Sequence, residues 1–116
     1  MKTLLILRHA KSSWKETNLS DHDRPLNPRG RRDAPKMGRL VREKDLEPQL
    51  ILSSTAKRAR ETVEGVTEAC GYDSELRFIR DFYMAGPDAY IEALNELDDT
   101  YQRVMVVGHN PGMETL

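Results

Sequence analysis

Near the start of the chain, residues 3–9, TLLILRH, form a short apolar run that stops abruptly at Arg8 and His9. A continuous run of Leu and Ile of this length is typical of a strand that is buried on both faces, as strands are in parallel sheets. The sequence therefore predicts a buried strand over residues 3–7, with Arg8 and His9 directly after its carboxyl end.

Three more short apolar runs favour strands in the same way. They cover residues 50–52, 76–79 and 104–107, and the last of them contains three valines, which are common in strands. Polar residues follow here too, because two serines come after the second run and His109 comes one glycine after the fourth. We therefore expect four strands, three of which end at side chains capable of chemistry.

The segments between these runs carry apolar residues at helical spacing. A first helix is expected from Pro28, because proline is favoured at the first helical position and Asn27 before it can cap the N-terminus. A second helix is expected to end at Cys70, with Gly71 as its C-terminal cap. A third is expected over residues 88–97, with these side chains facing inward: Tyr90, Ile91, Leu94 and Leu97.

Strands and helices alternate along the chain, and this order produces a parallel sheet with helices on both faces. At 116 residues the chain has the length of one domain, so we expect a single three-layer α/β/α domain over residues 1–116 with a mostly parallel central sheet. Ligands of such open sheets bind outside the carboxyl ends of the strands. Residues 8–9, residues 53–58 and His109 are therefore predicted to converge in one crevice.

The composition excludes several classes of protein. Hydrophobic residues make up 38% of the chain and charged residues 32%, as in folded globular proteins, and no apolar run approaches the roughly 20 residues of a membrane span. The formal net charge of -1 gives no general attraction for nucleic acid or for anionic membranes. Cys70 is the single cysteine and the chain shows no leader pattern, so a cytoplasmic location is expected.

Two histidines and two arginines around one crevice make an anion site that contains a nucleophile or an acid–base group. Arg8 and Arg58 offer planar forks of donors that match phosphate oxygens, and they stay cationic at any working pH. A histidine beside them, His9 or His109, can attack phosphorus when its reactive nitrogen is neutral. Water would then hydrolyse the phosphohistidine, so we expect neither a cofactor nor a metal.

The order of these motifs resembles the histidine phosphatase superfamily. The resemblance rests on residues 7–10 (LRHA) after the first strand, residues 54–62 (STAKRARET) after the second and residues 107–110 (VGHN) after the last. Within the superfamily, residues 24–26 (RPL) followed by Gly30, and an alanine after the Arg-His pair, are similar to the SixA-type phosphohistidine phosphatases. The resemblance covers essentially the whole chain and implies a phosphoglycerate mutase-like version of the predicted fold.

The resemblance implies roles for individual residues. His9 would be the phosphorylated nucleophile, and His109 would complete the pocket. Arg8 and Arg58 would bind the phosphoryl group, and Ser12 would lie near it. The substrate would be a phosphohistidine-bearing protein or a small phosphorylated compound.

Two further implications concern whole segments. Related mutases and acid phosphatases carry a glutamate as general acid in a segment that corresponds to residues 80–86, where Asp81 is the nearest carboxylate. A SixA-type enzyme does not need this acid, because a leaving imidazole can be protonated before the P–N bond breaks. Family members also usually continue well beyond the position of Leu116, so we expect that the C-terminal part of the usual domain is missing.

Other functions are compatible with the same residues. A regulatory pseudoenzyme would keep the anion pocket and turn over poorly, so it would bind phosphate or vanadate without hydrolysis. A nucleic-acid-binding protein would use the basic residues at 29–32 and 57–60, but acidic residues alternate with them, as on solvated helix faces.

The cluster Asp21-His22-Asp23 admits two functional interpretations besides an ordinary surface loop. A metal hydrolase would combine one of its carboxylates with His9, His22 and His109, although no histidine pair has the short spacing of familiar zinc sites. Alternatively, the loop covers the pocket and its charges help to select a cationic or protein substrate.

Overall fold

The computed structural model describes residues 3–9, 20–72, 75–83 and 86–109. Within these ranges the strands are β1 (Thr3–Arg8), β2 (Leu50–Ser54), β3 (Glu75–Ile79) and β4 (Arg103–Gly108). The helices are α1 (Pro28–Glu43), α2 (Lys57–Cys70) and α3 (Pro87–Asn95), and short 3₁₀ turns lie at Asp21–Asp23 and Arg80–Phe82. None of the helices in these ranges is long and apolar enough to cross a membrane.

The described strands form one parallel sheet in the order β1-β4-β2-β3. β4 therefore lies between β1 and β2, and its Val107 pairs with Leu7 on one side and with Ser53 on the other. The predicted α/β fold is confirmed, because α1 and α2 cover one face of the sheet and α3 packs on the other. The carboxyl ends of β1, β4 and β2, where reactive side chains were expected, are therefore adjacent in the sheet.

α1 and α2 pack closely because glycines lie at their contact. A β-carbon on Gly38 would lie 2.3 Å from the backbone oxygen of Val66, and one on Gly65 would lie 2.7 Å from the β-carbon of Ala34. Neither position has room for a larger side chain unless the helices move apart.

The helix ends agree with the sequence signals. The Asn27 side chain accepts a hydrogen bond from the Gly30 N–H at 2.8 Å, so it caps α1 as predicted. Gly71 ends α2 in the left-handed conformation, with a φ of 72°. α2 begins at Lys57, which places Arg58 in its first turn, directly after the end of β2.

The prediction that β1 is buried on both faces is wrong. Leu5 and Leu7 pack into the core under α1 and α2, but Leu4 is 40% exposed and Ile6 is 49% exposed on the opposite face. β1 lies at one edge of the described sheet, while the core under α3 is built on β2 and β4. Because α3 is short and covers only β2 and β4, it leaves that face of β1 exposed.

The third helix is shorter than predicted. It ends at Asn95 instead of residue 97, and Ile91, which was expected to face inward, is exposed. Tyr90 is fully buried as expected, and Leu94 and Leu97 pack at the border of the same core. The Tyr90 hydroxyl reaches the backbone at the end of β4, where it accepts from the His109 N–H.

Candidate active site

The candidate site is built at the carboxyl ends of β1, β4 and β2. The His9 N–H donates to the Gly108 carbonyl at 3.1 Å, so the chain stays paired one residue past β1. The His9 and His109 rings lie with their centroids 5.1 Å apart. Arg8 is the last residue of β1 and is exposed, and Ser12 lies outside the described residues.

The position of His109 is set by Gly108 and Tyr90. A β-carbon on Gly108 would lie only 2.3 Å from the Tyr90 hydroxyl oxygen, so glycine is required where β4 passes this side chain. The same hydroxyl accepts from the His109 N–H at 3.2 Å and donates to the Phe82 carbonyl at 3.2 Å. Burial raises the pKa of Tyr90, which keeps the phenol protonated and able to donate.

The His109 ring is buried and makes one close polar contact. Its Nε2 lies 2.7 Å from the Ser54 hydroxyl, and its Nδ1 has no hydrogen-bond partner among the described residues. Burial, together with the positive charges of Arg58 and His9, lowers the pKa of His109 from 6.5 to about 4. The imidazole is therefore neutral at neutral pH while the pocket holds no anion.

Arg58 supplies a buried guanidinium next to this ring. Its NH1 donates to the Asp21 carbonyl at 2.6 Å, and its NH2 donates to the Asp21 carboxylate at 3.1 Å. Its Nε is buried and has no partner among the described residues. A buried N–H without an acceptor is costly, so Arg58 and His109 together present atoms that suit an anionic ligand.

Asp21 collects donors from three directions. Its carboxylate accepts from the Tyr83 hydroxyl at 2.6 Å, from the Arg24 NH2 at 3.0 Å and from Arg58. The Tyr83 hydrogen bond, together with Arg24 and Arg58 and against the opposing effect of burial, lowers the pKa of Asp21 from 3.8 to about 2. Asp21 is thus ionised at all ordinary pH values.

The segment after β3 does not bring a carboxylate into contact with this group. Asp81, the acid nearest to the position suggested by the family pattern, is exposed in the 3₁₀ turn. The segment contributes Tyr83 instead, whose ring lies 5.8 Å from His109 and 5.8 Å from the Arg58 guanidinium carbon. Sequence reasoning missed Tyr83, because an isolated tyrosine gives no motif, although it lies in the segment 80–86, where related mutases and acid phosphatases carry their acid.

His22 lies at the outer side of the site. Its Nε2 is 2.9 Å from the Thr55 hydroxyl, and its ring packs edge-on against Tyr83 with centroids 4.8 Å apart. Among the residues that the structure describes, no three His, Cys, Asp or Glu side chains are grouped as metal ligands. His9, His22 and His109 therefore do not form the centre that a metal hydrolase of this kind would require.

Comparisons with known proteins agree with the motifs and the fold. The family model of the histidine phosphatase superfamily (branch 1) matches residues 4–81, which is more than half of the chain. The chain belongs to this superfamily.

Individual relatives extend over nearly the whole chain. A chloroplastic protein of Arabidopsis thaliana is 39% identical over 97% of this chain, and a Mycobacterium tuberculosis protein is 38% identical over 95%. This chain spans 56% of the length of the first and 66% of the second. Among solved structures, an Agrobacterium tumefaciens protein whose name is phosphohistidine phosphatase SixA superposes with a TM-score of 0.92 at 35% identity, covering 99% of this chain and 74% of that one.

Proposed function

We propose that this chain carries a metal-independent phosphatase site that releases phosphate through a phosphohistidine intermediate on His9. The observation that supports it most directly is the convergence of two histidine rings 5.1 Å apart beside a buried arginine, where Arg58 Nε and His109 Nδ1 lack partners among the described residues. Membership of the histidine phosphatase superfamily supports the same assignment. Arg8 and Ser12 are proposed to complete the phosphoryl contacts.

The reaction follows from the chemistry of these groups. A ring nitrogen of His9 attacks phosphorus and forms a P–N bond, while the bond to the leaving group breaks and its electron pair goes to the leaving atom. Arg58 and His109 donate to the phosphoryl oxygens as they approach the nucleophile. Water then attacks phosphorus, and inorganic phosphate and free His9 are released.

The proposed substrate class is a phosphohistidine, in a protein or a small compound. Near the pocket, the described acidic groups are poor proton donors, because the pKa of Asp21 is about 2 and the Tyr83 hydroxyl already donates to that carboxylate. An alkoxide leaving group needs an acid, whereas a phosphorylated imidazole takes its proton from water before the bond breaks. The Agrobacterium relative carries a name of the same kind.

The test is steady-state turnover of phosphoimidazole, a phosphohistidine peptide and an aryl phosphate in excess chelator. Arg58→Lys should lower kcat/KM on all three by about 100-fold, because the planar fork and its buried Nε are lost. Arg60→Lys is the matched control, since Arg60 is exposed on the same helix, and it should keep wild-type turnover. Tight phosphate binding without any turnover would instead identify a pseudoenzyme, and loss of activity with chelator would contradict metal independence.

A further inference from the structure

Charges around the pocket are arranged in two layers. Two guanidiniums are inside, because the Arg58 side chain is 5% exposed and that of Arg24 is 10% exposed, whereas Arg8 at the end of β1 is exposed. The carboxylates are outside, because the side chains of Asp21 and Asp23 are 41% and 61% exposed. A phosphoryl group bound on the inner layer would therefore direct its leaving group past an outer layer that carries negative charge.

Asp21 is the member of this outer layer that contacts Arg58. It shares Arg58 with the proposed phosphoryl site, since NH1 and NH2 of this arginine contact Asp21 and its buried Nε has no partner among the described residues. Tyr83 holds the carboxylate by a hydrogen bond of 2.6 Å while its ring contacts His109. A single side chain thus separates the carboxylate from Arg58 Nε and His109 Nδ1, the two buried unpartnered nitrogens that mark the proposed anion pocket.

We propose that Asp21 is a specificity-determining residue that favours phosphorylated substrates with a cationic leaving group over those with a neutral or anionic one. This inference rests on the proposed function and names the charge that the substrate presents next to its phosphoryl group. A protonated phosphoimidazole fits, because its ring is cationic until the P–N bond breaks and the electron pair returns to nitrogen, so that neutral imidazole leaves. A carboxylate-bearing phosphoester would place like charges together.

A purely structural role for Asp21 gives a different expectation. If Asp21 only orients Arg58, its removal changes the affinity for every phosphoryl ligand by a similar factor. If it also selects for charge, its removal weakens the binding of cationic ligands relative to the binding of anionic ligands. The ratio of two affinities therefore separates the two roles.

The experiment measures the binding of two non-hydrolysable phosphonates by calorimetry. 2-Aminoethylphosphonate and 3-phosphonopropionate share the phosphonate and a two-carbon linker, and they differ in an ammonium or a carboxylate at the far end. The wild-type chain should bind the ammonium compound about tenfold more tightly, since attraction of the ammonium and repulsion of the carboxylate by Asp21 each contribute a factor of about three. Asp21→Asn should bring the ratio close to one.

The matched control is Asp23→Asn, two positions away on the same turn. Asp23 is more exposed than Asp21, and its closest ion-pair partner in the described part of the chain is His22 at 3.5 Å, so the preference should stay within about twofold of wild type. Equal binding of both phosphonates by wild type, or a preference that Asp21→Asn leaves unchanged, would overturn this inference alone. Failure of both phosphonates to bind would overturn the phosphoryl site itself, and with it the proposed function.

Discussion

The Nε2 of His109 lies 2.7 Å from the hydroxyl of Ser54, which joins the end of β4 to the end of β2. The Ser54 hydroxyl also accepts from the Ala56 N–H at 3.2 Å, so it is held on the loop that leads to Arg58. When this hydroxyl donates to Nε2, the His109 proton is on Nδ1, the nitrogen without a partner among the described residues. In that tautomer the buried Nδ1–H is a neutral donor, which is proposed to bind a phosphoryl oxygen.

The buried neutral state of His109 predicts a specific pH dependence of stability. The unfolded chain binds this proton with a pKa of 6.5 and the folded chain only at about 4, so the unfolded state holds more protons between these values. The free energy of unfolding should therefore be fully retained above pH 6.5 and fall by about 3 kcal/mol as the pH drops toward 4. Urea unfolding at a series of pH values measures it, and His109→Gln should lose this part of the slope; equal slopes would contradict the assignment.

Tyr83 is predicted to control the ionisation of Asp21. Its hydrogen bond is the largest cause of the lowered Asp21 pKa, so Tyr83→Phe should raise that pKa from about 2 toward 3.8. Titration of the Asp21 carboxyl carbon by NMR measures the change. Tyr101→Phe is the matched control, because the Tyr101 hydroxyl bonds to Glu75 at the opposite end of the sheet, and it should leave Asp21 unaffected. An Asp21 pKa that is the same in Tyr83→Phe and wild type would contradict the contact.

Gly108 is predicted to be required for the position of His109. In Gly108→Ala the new methyl group would lie 2.3 Å from the Tyr90 hydroxyl, so either the tyrosine or the end of β4 must move. Unfolding measurements should show a loss of about 1–3 kcal/mol, as for other overpacked positions, together with reduced turnover. Gly86→Ala is the control, because a β-carbon there has no neighbour within 4 Å among the residues that the structure describes.

A double variant tests whether the clash is the cause. Tyr90→Phe removes the hydroxyl that the new methyl group meets. The loss of stability in the double variant should therefore be smaller than the sum of the losses in Gly108→Ala and Tyr90→Phe. The Tyr90 ring carbons Cε1 and Cζ, both 2.9 Å from the new methyl group, remain in Tyr90→Phe, so strict additivity would show only that the hydroxyl contact is not the cause of the loss.

Local patterns in the sequence were sufficient to predict most of the fold. Asn27 and Gly71 mark helix ends through rules that involve only neighbouring residues, and the structure has both caps where they were expected. The burial of β1 was predicted wrongly. An apolar run indicates an apolar strand, but it does not indicate which other strands lie beside that strand in the sheet. Leu4 and Ile6 are exposed as a result of the strand order, which is a property of the whole sheet.

The candidate site was also predictable from the sequence only in part. His9 and His109 directly follow β1 and β4, and Arg58 lies in the first turn of the helix after β2, so the rule for parallel sheets was enough to bring them together. The contact between Asp21 and Tyr83 joins residues 62 positions apart, and neither lies at the end of a strand. No local pattern encodes that contact, which depends on how the turn after β3 folds back toward the loop before α1.

His9 is proposed to carry the phosphoryl group during turnover. The most direct test is to mix the chain with phosphoimidazole in the presence of chelator, quench in alkali, where phosphohistidine survives, and locate the modification by peptide mass spectrometry. We expect one phosphoryl group on His9 in the wild-type chain and, in His9→Asn, neither the modification nor turnover. A phosphoryl group on His109 or another residue, or undiminished turnover by His9→Asn, would contradict it.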